Sequence, residues 1–368
     1  MIGDQRPSRH TGFRIRTSYI CIGLSLGLLV VGLWPFRFQT ANNVRWIGGS
    51  PGLRFDAFGI VSGKEPLFGP GGAVDLALFF TLRMEMRPRE EPSGSLPRIL
   101  SAYDGEGREL FFLGQWRAGL VLRIFEGERF HRLKYRETGA GGLQKQKDVT
   151  HSIVVRSENH ALTLFVDGVP AKTRSGVDFS LLSEKRVPAW IILGNSPSGE
   201  NLWKGDLLSL SIYPEALSPG DIESRGTPPV IRYGFSERSG TVCRGSADSR
   251  YDLVIPSLFR APKKGILVPP WRVQKFDRSF WKDVFVNILG FIPFGFAVYA
   301  WACKSGERKI AMAMGTTLLL SAGISLFIEL LQVYLPTRDS SLTDVMNNVL
   351  GTYIGARLFR TARDILYR

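Results

Sequence analysis

The sequence predicts a mixed fold, an α-helical transmembrane bundle of four helices joined to an all-β antiparallel sandwich. Three observations predict it. Long uncharged runs lie near both ends of the chain, the Gly- and Pro-rich middle alternates apolar and polar residues, and polar side chains recur at helical spacing inside the C-terminal runs.

Taken in order, residues 1–16 carry Arg6, Arg9, Arg14 and Arg16 against Asp4 and read as a cytoplasmic N-terminus. The uncharged run 17–36 is long enough to cross a bilayer as a helix. A cleaved signal peptide is the competing reading, but the apolar run is too long and no A-x-A site follows. An uncleaved anchor is expected, with Trp34 and Phe36 at the outer interface.

Residues 42–262 contain no run that could span a membrane as a helix. Val74, Leu76, Leu78, Phe80, Leu82, Met84 and Met86 are apolar at every second position, the signature of a half-buried strand. Further strands are expected at 110–113, 119–126, 153–156, 162–166, 190–193 and 207–213. Turn pairs such as Asp104-Gly105 and Asp167-Gly168 separate them. Many short strands with Gly and Pro turns predict an antiparallel sandwich placed outside the cytoplasm.

A basic linker, 263–283, holds Lys263, Lys264, Arg272, Lys275 and Arg278 around Pro269-Pro270. Its external placement runs against the positive-inside bias, which long exported domains weaken. Three helices follow at 284–303, 310–335 and 344–359, joined by a basic cytoplasmic loop (304–309) and a short outer loop (337–343). The tail 360–368 is cytoplasmic and basic, so both termini face inward.

Composition narrows the partners. The net charge is +14, which fits anionic lipid headgroups. No recognition helix or RNA-binding motif accompanies it, so no nucleic-acid partner is expected. Cys21, Cys243 and Cys303 offer no disulfide framework or zinc spacing, and His10, His131, His151 and His160 are scattered. No metal site or cofactor is expected. Asp104, Asp167 and Asp206 are the available ligands for Ca²⁺ on the sandwich, but calcium-loop spacing is absent and a turn role is preferred for each. Trp116 and Trp203 are candidates to stack on a sugar, with core burial preferred for each.

The chemistry-bearing residues lie near the C-terminus. Ser325, Glu329 and Gln332 share one helix face, and Asp344 and Asn348 share a face of the next helix. Asn287 and Asn347 add amides. Ionisable groups inside a membrane normally face other helices or a wet cavity. Arg338, between the two helices, is the nearest candidate cation for Glu329 or Asp344. Gly351 and Gly355 allow close helix approach.

Two resemblances follow. "SIVVRSENHALTLFVDGVP" (152–170), "IILGNSPSGENLWKGDLLSLSIYPEALSPGDI" (191–222) and "RYGFSERSGTVCRGSADSRYDLVIP" (232–256) resemble segments of concanavalin A-like, laminin-G-type jelly rolls. That family often binds glycans, sometimes with Ca²⁺. The Glu-x-Asp-x-x-Glu pattern of the related glucanases is absent, so no hydrolase is expected. "NILGFIPFGF" (287–296) followed by "IELLQVYLPTRDSSLTDVMNNVLGTYIGA" (328–356) resembles the VanZ-like membrane proteins. The matched positions are Asn287, Pro293, Gly295, Glu329, Gln332, Arg338, Asp344, Asn348, Gly351 and Gly355. "LWPFRF" (33–38) looks like the end of that family's first helix, so the jelly roll reads as an insertion between helices one and two.

The resemblance implies a bacterial inner-membrane protein with cell-envelope work. The family's founding members are linked to glycopeptide resistance, chiefly to teicoplanin. Two functional readings follow. In the first, which is non-enzymatic, the jelly roll binds an envelope glycan or protein and the motif residues lock the helices together. In the alternative, Glu329, Arg338 and Asp344 form a membrane enzyme or transport site for a lipid-linked phosphate or sugar. The oligomeric state is open.

Overall fold

The computed structural model describes residues 9–74, 79–92, 96–126, 134–141, 149–176, 179, 187–262, 265–270, 278–303, 307–335, 338 and 340–366. Asp75, Leu76 and Leu78 of the expected strand, His131, linker residues Lys263, Lys264, Arg272 and Lys275, and Pro336 and Thr337 of the outer loop lie outside the described residues. The chain divides into two compact units. One joins residues 1–38 to 265–368, and the other is 39–264.

The 39–264 unit is a two-sheet sandwich. Its strands run β1 (Val44–Trp46), β2 (Leu53–Phe55), β3 (Val61–Gly63), β4 (Phe80–Pro88), β5 (Arg98–Asp104), β6 (Glu109–Trp116), β7 (Gly119–Glu126) and β8 (Lys134–Gly141). They continue as β9 (His151–Glu158), β10 (Ala161–Val166), β11 (Val169–Ser175), β12 (Ala189–Leu193), β13 (Gly205–Tyr213), β14 (Ile231–Tyr233), β15 (Val242–Cys243) and β16 (Leu253–Val254). One sheet has the order β1-β2-β13-β4-β9-β10-β11 with β14 on β13, and the other β15-β16-β3-β12-β5-β6-β7-β8. Every strand pairing described is antiparallel.

Period-two alternation explains the core. Phe80, Leu82, Met84 and Met86 of β4 are buried against Leu100, Phe111, Leu122, Ile191 and Leu210. Arg83, Glu85 and Arg87 alternate with them and are only half-buried. The β10–β11 hairpin turns on Asp167-Gly168, both at positive φ (52° and 82°), the backbone a two-residue primed turn needs. Ser218 caps the short helix α2 (Pro219–Arg225) in a capping box with Asp221. Beside it, Val154, Phe165, Tyr213, Leu217 and Ile222 form a second small core.

Among the described residues the other unit holds four long helices: α1 (Arg9–Leu33), α3 (Arg278–Ala302), α4 (Glu307–Gln332) and α5 (Leu342–Leu366). Among the described residues three helical stretches are long and apolar enough to cross a membrane, Arg16–Leu33, Phe280–Ala302 and Ile310–Gln332. The expected fourth span, 344–359, is not among these apolar stretches. It is helical, but Asp344, Asn347, Asn348, Thr352 and Arg357 take it below the composition of an apolar span.

The packing of α5 on α3 explains the glycines. A Cβ on Gly351 would overlap the Ile288 carbonyl, one on Gly355 the Ile292 carbonyl, and one on Gly295 the Thr352 carbonyl. Contacts 288–351 and 292–355 advance in the same direction, so α3 and α5 are parallel. Pro293 lies inside α3, which continues through it. Helix α1 packs Leu33 against Ile328 and Leu335, while its Cys21, Leu24 and Leu28 cover Phe291, Phe294 and Val298 of α3.

Candidate functional site

On α4, Thr317, Ser321, Ser325 and Glu329 recur every fourth residue, which places them on one face. All four are buried, Glu329 to 2% exposure. Each hydroxyl or carboxylate in this stripe needs a partner, because an unpaired polar group in an apolar environment costs several kcal/mol by rough transfer estimates. Thr317 Oγ1 donates to the Ala313 carbonyl in its own helix at 2.8 Å. The other three reach α5. Ser321 Oγ meets Thr352 Oγ1 at 2.7 Å, and Asn348 Nδ2 donates to Ser325 Oγ at 2.8 Å. Glu329 Oε2 accepts the backbone N–H of Ser341 at 2.8 Å. Ser341 immediately precedes α5, so the Glu329 carboxylate takes up one of the amides left free at that helix start. A carboxylate is favoured there by the helix dipole as well.

The same seam extends in two directions. Gln332 Nε2 donates to the Gly32 carbonyl of α1 at 2.8 Å. Ser340 Oγ accepts from Leu267 N–H at 3.0 Å, Val268 N–H donates to the Ser340 carbonyl at 2.9 Å, and Leu342 N–H donates to the Val268 carbonyl at 3.0 Å. The segment leading into α3 is thus stitched to the loop whose amide Glu329 holds.

The remaining expected residues fall as follows. Asp344 is half-buried in the first turn of α5. Arg338 is exposed, with Nε and Nη2 each 3.4 Å from the Trp34 carbonyl. Asn287 is half-buried on α3, next to Ile288, the residue Gly351 approaches. Asn348 is 4% exposed; its Oδ1, with Asn347 Nδ2 and Thr343 Oγ1, is buried without a partner. The structure therefore brings Ser325, Glu329 and Asn348 to one helix–helix seam, with Asp344 one turn from Asn348 on α5, and leaves Arg338 exposed.

On the sandwich, Trp116 is 44% exposed at the end of β6, with the Arg117 guanidinium 6.0 Å from its ring. Trp203 is a core residue and not a sugar platform. It is 1% exposed, packs on Phe55 and donates its Nε1–H to Gln115 Oε1 at 2.9 Å, so its faces are taken. Asp206 is corrected from a turn to strand β13, where it is fully buried and bidentate with Arg54 at 2.8 and 2.9 Å. Asp104 does sit at a turn, accepting the amides of Glu106 and Arg108. Asp167 accepts the Ser152 amide and pairs with His151 Nδ1 at 2.8 Å.

One side-chain cluster, on the face of β5, β6 and β12 away from the main core, has no counterpart among the residues expected from sequence; Tyr103, Glu109 and Trp190 are half-buried in it, and Ser101, Phe112 and Arg98 are buried. Tyr103 and Ser101 alternate with the core residues Leu100 and Ala102 and so point away from the core. Trp190 stands opposite Tyr103, with ring centroids 6.2 Å apart, and Phe112 stands opposite Ser101. Glu109 binds Arg98 at 3.1 and 3.2 Å and accepts from Ser101 Oγ at 2.7 Å, and the Arg98 guanidinium lies 3.4 Å from the Phe112 ring centre. Burial pushes the Tyr103 hydroxyl up to about 12, so it remains a neutral donor. The signal was available in strand parity, since Trp190 alternates with the core residues Ala189 and Ile191.

Two family models match the chain. The VanZ/LLP1 family model matches residues 235–363, and the Laminin_G_3 model of the concanavalin A-like lectin/glucanases superfamily matches residues 75–223. Among solved structures, a heptameric SAP-like pentraxin from Limulus polyphemus is similar at 12% identity, over 59% of this chain and 93% of that one, with TM-score 0.36. The Ruminococcus gnavus IT-sialidase CBM40 bound to α2,3-sialyllactose is similar at 18% identity, over 48% and 94%, with TM-score 0.33. No curated protein matches the chain. The chain thus joins a two-sheet sandwich, of which residues 75–223 match a concanavalin A-like family model, to a helical segment that matches the VanZ/LLP1 model and holds stretches long and apolar enough to cross a membrane.

Proposed function

We propose that this chain is a multi-pass protein of the bacterial cytoplasmic membrane whose externally placed sandwich binds an envelope glycan. The observation that carries the reading is the half-buried pair Tyr103 and Trp190 beside the carboxylate of Glu109, which the buried Arg98 holds in place. Aromatic rings beside a fixed carboxylate suit sugars, which offer apolar ring faces and hydroxyls together. The match to a lectin-containing superfamily supports it.

The topology has four crossings and both termini in the cytoplasm, with α1 belonging to the VanZ-like bundle. The parallel packing of α3 and α5 supports a fourth crossing. So does α5 itself, which turns Asn348 and Thr352 to α4 and leaves Met346, Leu350 and Tyr353 exposed. A reporter fused after Ser340 is expected to be active only outside the cytoplasm, and cytoplasmic activity there would reverse the topology.

The binding test uses the full-length chain in lipid nanodiscs against a panel of bacterial envelope polysaccharides, with and without Ca²⁺. Saturable binding to one glycan class is expected. Trp190→Ala should weaken it about ten-fold, in line with the roughly 0.5–1.5 kcal/mol of an aromatic contact beyond area burial. No binding from a folded chain would remove the glycan reading and leave a protein partner.

A further inference from the structure

Three polar atoms without partners lie within six residues of α5: Thr343 Oγ1, Asn347 Nδ2 and Asn348 Oδ1. Folded proteins pair nearly all buried polar groups, so such a cluster points to a missing species. Asn348 is the most informative. It is 4% exposed, its amide stands in the α4–α5 seam through Nδ2 on Ser325 Oγ, and its free atom is an acceptor.

The surroundings set the charge of that species. A helix start ordinarily attracts an anion. Here Glu329 already accepts the Ser341 amide and Asp344 occupies the first turn, so acid holds the place an anion would take. A phosphate would meet two like charges, and the exposed guanidinium of Arg338 lies at the Trp34 carbonyl. Two carboxylates and a buried amide oxygen instead suit a cation rich in N–H donors. A protonated primary amine carries one charge and three donors, enough for a carboxylate and Asn348 Oδ1 together. An oxygen beside the amine would accept from Thr343 Oγ1 or Asn347 Nδ2.

We propose that the α4–α5 seam binds a protonated primary amine between Glu329, Asp344 and Asn348, carried by a lipid headgroup or by a small soluble amino compound. The proposal goes beyond the glycan reading and does not depend on it.

The test uses the full-length chain purified in detergent at constant ionic strength. Ethanolamine hydrochloride is titrated while melting temperature and tryptophan fluorescence are followed. Tetramethylammonium chloride serves as a cation without N–H donors. Native mass spectrometry after exposure to equimolar phosphatidylethanolamine, phosphatidylcholine and phosphatidylglycerol reads the lipid source. The expected result is a saturable response to ethanolamine and none to tetramethylammonium, or phosphatidylethanolamine adducts in clear excess of the other two lipids. The first outcome alone assigns a soluble amine, and the second assigns a headgroup. Glu329→Gln and Asp344→Asn should each weaken the effect about ten-fold with helical content unchanged. If those variants do not fold, Asn348→Asp replaces them: it should tighten amine binding, and unchanged or weaker binding would count against the site. Equal responses to both cations together with equal retention of the three lipids, from a folded wild-type chain, overturn the proposal.

Discussion

Against α3, helix α5 presents Gly351 and Gly355 and lets carbonyl groups of α3 occupy the space a side chain would need. Against α4 it presents Asn348 and Thr352, together with the Ser341 amide at its start, each reaching a polar partner. The two contacts fail differently. Backbone cannot move aside without moving a helix, whereas a hydrogen-bonded rung can lose one partner and re-form to a neighbour or to water. The α3 contact therefore fixes position. The α4 contact fixes rotation and register, and it leaves room for polar atoms without protein partners.

The largest effect should come from breaking the first contact. Gly355→Ala adds one methyl that overlaps the Ile292 carbonyl, and overpacking of this kind costs about 1–3 kcal/mol, at the upper end when backbone is the obstacle. The full chain should melt markedly earlier in detergent. Gly290→Ala is the control, because nothing lies within 4 Å of a Cβ there. Equal melting of the two variants would remove the distinction between the contacts. A smaller effect is expected from the second contact. Ser325→Ala and Asn348→Ala, combined in a double-mutant cycle, should show a coupling of about 0.6 kcal/mol, typical of hydrogen bonds between membrane helices. A coupling above about 2 kcal/mol would mean that the rung is as rigid as the glycine contact.

Helical spacing made much of this bundle legible in the sequence. Glu329, Gln332, Asp344, Asn348, Gly351 and Gly355 could be assigned to faces because the 3.6-residue period fixes direction. The sandwich class was equally plain from the alternation in β4. What was not legible depended on partners distant in sequence. Composition alone could not decide α5 as an apolar span, because its polar residues are spent on α4. Trp203 could be a sugar platform or core until Gln115, 88 residues away, was seen to take its N–H. Asp206 looked like a turn residue because Asp favours turns, and a strand role required Arg54 from β2. Strands such as β11, exposed along its whole length, carry no alternation to detect.

The hydrogen bond from Gln332 to the Gly32 carbonyl joins residues 300 positions apart. At about 5–20 residues per second of synthesis, roughly 15–60 s pass between making the first partner and the second. For most of that interval, until α3 is made, the packing face of α1 has no partner from its own bundle, while the whole sandwich is being made. Biogenesis of this protein therefore includes a waiting period for its first helix. Anything that holds α1 in place until α3 and α4 arrive acts as an assembly factor for the bundle.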